Sequence, residues 1–82
     1  MPSRDFSGRE VVKSLSKNRF FIVDRTGSHV KPRYEHPTND EDVRVVSVPM
    51  HDRIDTGTLR SIAEQSGARD FDAFCAWIDR HR

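Results

Sequence analysis

The chain has a single cysteine, Cys75, among its 82 residues. One thiol excludes an internal disulfide framework and a multi-cysteine zinc site, and it fits a reducing compartment. No stretch approaches the roughly 20 apolar residues of a membrane span. The opening "MPSRDFSGRE" has no signal-peptide core, so a cytoplasmic protein with no membrane contact is expected. Apolar residues are scarce, 34% against 33% charged. They nonetheless cluster with clear periods, which argues for a folded chain rather than a disordered one. This length holds one domain, residues 1–82, with a single two-layered core and no second lobe to form a deep cleft.

The formal net charge of +1 hides an asymmetry. Residues 1–34 carry eight Lys/Arg against three Asp/Glu, whereas residues 35–82 carry six against ten. A basic half on a nearly neutral chain points to a local anion-binding face.

"SGREVVKSLSKN" reads as a first helix. Ser7 is a candidate N-cap, Glu10 completes a capping box, and Val11, Val12 and Leu15 form one apolar stripe. Phe6 is placed to join the core. "RFFIVD", Arg19 to Asp24, is β-branched and aromatic, hence a strand. "RTGS" then turns the chain, with Gly27 free to take positive φ. The second strand starts near Ser28 or His29 and runs towards Glu35. Alternation puts His29, Lys31 and Arg33 on one face, and Val30 and Tyr34 on the other. Pro32 removes a ladder donor, and a bulge is expected there.

"HPTNDED" is an acidic hairpin tip, and "VRVVSVP", Val43 to Pro49, is a third strand. Asp55 or Thr56 is expected to cap a second helix, with Leu59, Ile62 and Ala63 inward and Gly67 as its stop. A last helix is expected from Asp70 to Asp79, with Phe71, Phe74, Cys75 and Ile78 at helical spacing and Trp77 off the centre of that stripe.

Four segments then line up: "SGREVVKSL" in the first helix, "GSH" after the first strand, "VPMH" ending the third, and "TGTLRSIAEQSG" opening the next helix. In this order they resemble the HicA-type toxins, small mRNA interferases of toxin–antitoxin pairs, over about Ser7 to Phe74. "GSH" alone would be weak; the ordered set is specific. The resemblance implies an α+β fold like a double-stranded-RNA-binding domain: helix, three-stranded antiparallel sheet, helix, with an additional short C-terminal helix here. It also implies an RNA substrate, a HicB-type antitoxin as protein partner, and DNA contact only indirectly through that antitoxin. Three departures stand out. Arg19 replaces a glycine usual in the family, Val30 replaces a frequent second histidine, and the segment from Val30 to Ser47 is longer than usual, around Pro32 and Asn39 to Asp42.

RNA cleavage needs no cofactor or metal, because the 2′-hydroxyl attacks the adjacent phosphate when a protein supplies a base, an acid and cations. Histidine suits both proton transfers, since its ordinary pKa of about 6.5 lies near working pH. From the resemblance and its cationic face, His29 is the expected catalytic residue, positioned by Gly27 and Ser28. His51, the second histidine of the family pattern, completes the acid/base pair, orients a phosphate or anchors its loop. Lys31 and Arg33 are candidate phosphate ligands, with Arg9, Lys13 and Lys17 as further ones. His36 belongs to the lengthened hairpin and His81 to the C-terminus. The histidine spacing does not suit a metal, and Cys75 on an apolar stripe is core rather than nucleophile. The expected function is therefore a ribonuclease toxin that cleaves mRNA and stalls translation until its antitoxin binds. The alternative is a non-catalytic RNA-binding module of the same fold.

Overall fold

The structure, a computed structural model, describes residues 5–82. Helix α1 spans Gly8–Ser16, and the capping box opens it as expected. Ser7 Oγ accepts from the Glu10 N–H at 3.1 Å, and Glu10 Oε1 accepts from the Ser7 N–H at 2.9 Å. Val11, Val12 and Leu15 are buried, and so is Ser14. Ser14 keeps its hydroxyl satisfied by donating to the carbonyls of Glu10 and Ile78.

The chain leaves α1 through Arg19, which has φ +69°, the one non-glycine residue with positive φ among those described. The family's glycine at this place now has a physical reason, since a side chain in the left-handed region costs about 1–2 kcal/mol. Arg19→Gly is therefore expected to raise stability by about 0.5–1 kcal/mol, part of the relief being offset by the looser unfolded chain. A urea melt that shows no gain would remove this account of the departure.

Strands β1 (Phe20–Thr26), β2 (His29–Glu35), β3 (Val43–Val45) and β4 (Val48–Pro49) form one antiparallel sheet, with β2 between β1 on one side and β3 and β4 on the other. The expected third strand is thus broken in two, although both pieces keep the same register against β2. Pro32 is the reason. Its carbonyl accepts from the Val46 N–H at 3.0 Å, but it has no N–H to return the bond, so the ladder lapses there. The expected bulge at Pro32 lies instead across the sheet in β1, where Val23 is the extra residue between Ile22 and Asp24. Strand β2 itself stays in phase, and Pro32 is fully buried beside Val30 on the core face.

Helix α2 spans Thr56–Gln65 and is capped by Asp55, whose Oδ1 accepts from the Thr58 N–H. Helix α3 spans Phe71–His81, two residues beyond the expected end, with Asp70 as its N-cap. The core joins Phe6, Leu15, Val30, Val46, Val48, Leu59, Ile62 and Ile78. Cys75 is fully buried, and Arg82 ties the end of α3 to α1 through Glu10 at 3.1 Å. Helix, three strands and helix in this order, with α3 added, is the α+β arrangement of a double-stranded-RNA-binding domain. No helix of the described residues is long and apolar enough to cross a membrane.

Two of these caps make stability depend on pH. The hydrogen bond from the Ser7 backbone, helped by Arg82, holds Glu10 below its ordinary value of 4.5. The Thr58 N–H does the same for Asp55, whose ordinary value is 3.8. Groups with lowered folded pKa contribute stability in full above their unfolded values and lose it as pH falls through the folded ones. Urea midpoints are therefore expected to stay flat down to about pH 5 and to fall below it. Glu10→Gln should flatten part of that acid limb.

Candidate functional site

The turn between β1 and β2 has two residues, Gly27 and Ser28, closed by the pairing of Thr26 with His29. Gly27 has φ +58°, which this tight reversal requires and glycine supplies without strain. The Met50 N–H donates to the Ser28 carbonyl at 2.6 Å, and His29 pairs with Pro49. "GSH" and "VPMH", some twenty residues apart in sequence, therefore stand side by side.

His29 and His51 open into one cavity together with Ser47, Thr58, Ser61 and Gln65. The α2 residues of that wall were not singled out in the sequence. Their signal was present in the spacing, because positions 58, 61 and 65 fall on one polar stripe of a helix. Gln65 fixes the wall: its Oε1 accepts from the Ser47 N–H at 2.9 Å, and its Nε2 donates to Ser61 Oγ at 3.0 Å. Gly57 lines the same cavity at the first turn of α2, where the helix dipole is positive. His51 also lies close enough to Asp55 to add to the lowering of its pKa, after the Thr58 hydrogen bonds.

Another glycine sets the position of His51. Gly8 donates its N–H to the His51 carbonyl at 3.0 Å, and a Cβ on Gly8 would meet the Pro49 carbonyl oxygen and lie 2.8 Å from Met50 Cα. The first turn of α1 thus rests directly on the backbone that carries His51. Arg9, the next residue, shares a second recess with His51, Ser7 and Asp52. Arg9, Lys13 and Lys17 are all exposed and spaced by four, so they form one cationic row along α1 that leads to His51.

Lys31 and Arg33 stay on the face of β2 that carries His29. At about 3.3 Å per residue, Lys31 is about 7 Å along the strand from His29 and Arg33 about 13 Å. Neither lines the cavity, and Arg33 pairs with Glu35 at 3.2 Å. His36 organises the hairpin, its Nδ1 accepting from the Thr38 and Asn39 N–H groups. His81 sits at the end of α3, with Nδ1 2.7 Å from the Trp77 carbonyl oxygen. Among the described residues, no three His, Cys, Asp or Glu side chains gather where they could hold a metal ion. A larger recess on another side is lined by Phe20, Tyr34, Phe74 and Trp77, with Arg44 and Asp70, and holds no histidine.

No curated protein and no solved structure matches the chain. A family model described as the HicA toxin of bacterial toxin–antitoxin systems matches residues 8–68, which run from the first residue of α1 to just past α2 and include both cavity histidines. The chain belongs to the HicA toxin family, and so is a toxin of a toxin–antitoxin system whose partner is an antitoxin.

Proposed function

We propose that this toxin is an endoribonuclease that cleaves mRNA in the cytoplasm and blocks translation until a HicB-type antitoxin covers it. The observation that carries this is the opening of His29 and His51 into one cavity beside the positive end of α2. In the proposed reaction, a base takes the proton of the 2′-hydroxyl as its oxygen attacks the adjacent phosphorus. The 5′-oxygen leaves with a proton from an acid, giving a 2′,3′-cyclic phosphate and a free 5′-hydroxyl. His29 carries one of these transfers. His51 carries the other or orients the phosphate. Lys31 beside His29, and Arg9 beside His51, offset the charge that grows on the phosphorane oxygens. Lys13 and Lys17 extend the cationic row along which an RNA backbone would lie, and Arg33 continues the cationic face of β2.

The experiment is cleavage of a defined mRNA by the purified chain in EDTA, followed by analysis of the ends. Cyclic or 3′-phosphate ends and indifference to EDTA are expected. Ends bearing 3′-hydroxyl, or strict dependence on magnesium, would refute the mechanism. Binding of RNA with no cutting by the wild-type chain would favour the second reading, a non-catalytic module, which the fold also suits.

A further inference from the structure

The wall that α2 lends to the histidine cavity holds more hydrogen-bonding capacity than the fold uses. The Ser47 N–H can only donate, so the Gln65 atom facing it at 2.9 Å is the oxygen, and the amide has one orientation. The amide nitrogen then faces Ser61 and donates to its Oγ at 3.0 Å. Closing the backbone beside β4 needs only the oxygen. The nitrogen carries two hydrogens, and the second has no partner among the described residues.

Ser61 is in the same condition. Its oxygen accepts from Gln65, and its own proton finds no acceptor among the described residues. Ser14 spends that proton on the Glu10 carbonyl one turn back, whereas Ser61 keeps it. Two unspent donors, 3.0 Å apart, therefore stand on one wall. They share a cavity of about 470 Å³ with His29 and His51, a size ordinary for a small-molecule pocket. Ser47 is two residues from Pro49, about 7 Å at strand spacing, and Pro49 pairs with His29. A phosphate held at the histidines thus brings an attached base within reach of the wall.

The chemistry of the wall narrows what it takes. No lysine or arginine lines the cavity. Phosphate binding draws its strength from cations, whereas a pair of uncharged side-chain donors suits a base edge. Two neighbouring donors call for two neighbouring acceptors. Guanine presents them at O6 and N7, and cytosine at N3 and O2. Adenine and uracil do not: the adenine N6 amine lies between N1 and N7, and the uracil N3–H lies between O2 and O4.

We propose that Gln65 and Ser61 read a base of the RNA, selecting guanine or cytosine in a nucleotide beside the cut. This rests on the ribonuclease reading of the cavity and adds which bases that cavity takes. Because Ser47 holds the amide in place, the donors are oriented before RNA arrives and little is lost in ordering them.

The test uses short strands with a single ribose in a deoxyribose background, so that only one bond can be cut. The base on the ribose, and then the base after it, is varied through all four. At one of these positions the wild-type chain is expected to show a kcat/KM about 10-fold or more higher with guanine or cytosine than with adenine or uracil. The same series tells guanine from cytosine. Gln65→Glu keeps an oxygen for Ser47 but replaces the free donor with an acceptor. It should reduce the preference for the favoured base over adenine by about 10-fold or more. Ser61→Ala, which removes the other donor, should reduce the same ratio, and it carries the test should Gln65→Glu melt early. Equal rates with all four bases would overturn the proposal. So would a preference that both variants leave unchanged, or an equal loss with every base, the sign of a phosphate contact. If the wild-type chain cuts none of the strands, their affinities decide. The same ratios in binding uphold base reading while the ribonuclease reading fails, and binding indifferent to the base overturns both.

Discussion

Replacing His29 by alanine is expected to lower RNA cleavage by about 10²–10⁴-fold, the usual contribution of one positioned acid or base. The same change should abolish growth arrest on expression. It should leave the fold intact, because His29 is exposed and surface substitutions away from special features stay within about 0.5 kcal/mol. A melting curve beside the rate measurement separates loss of chemistry from loss of structure. His51→Ala tells the two roles of that residue apart. If His51 carries the second proton transfer, its loss matches that of His29, and the double variant is scarcely worse than either single one, as for residues that act as a unit. If it only orients the phosphate, the double variant falls further. Retention of cleavage within tenfold by His29→Ala would end the histidine mechanism.

The second large effect is expected at a residue with no chemistry of its own. Gly8→Ala places a methyl group against the backbone of Pro49 and Met50, where no flexible side chain can give way. Overpacking of this kind costs about 1–3 kcal/mol, and each kcal/mol lowers the melting temperature of a domain this size by about 4–8 °C. The variant that folds should also cleave RNA poorly. The displaced segment carries His51 and pairs with His29, and a shift near 1 Å can cost about 100-fold. Gly57→Ala is the contrast. A methyl group there meets only Asp55 Oδ1 at an ordinary 3.7 Å, so the change is expected to stabilise α2 by up to about 1 kcal/mol. Equal stability losses at the two glycines would show that α1 does not set the site.

Much of this molecule follows from rules that act over three or four residues. Ser7 and Glu10 announce the start of α1, and Asp55 that of α2, because a side-chain oxygen three residues from an unpaired N–H satisfies it whatever surrounds the helix. The stripe of Leu59, Ile62 and Ala63 is buried where the helical period puts it. Alternation places His29, Lys31 and Arg33 on one face, and Gly27 marks the turn before them. The family match spans these segments, from residue 8 to residue 68.

The fold departs from these local rules where a residue acts on a strand other than its own. Pro32 was expected to distort β2. Its missing N–H instead interrupts the strand opposite, and the extra residue appears in β1 at Val23, where an edge strand can absorb it.

By itself, then, the sequence determined the helices, their caps and their buried stripes, because hydrogen-bond satisfaction and burial periodicity are local. Only the tertiary structure decided that Gly8 seats α1 on the backbone of His51, that α2 lends Ser61 and Gln65 to the cavity, and that Phe21 and Val45 meet across Arg33 on an uncovered face. Those contacts join residues far apart in sequence. They exist only once the strands have taken their register and the helices have chosen one side of the sheet.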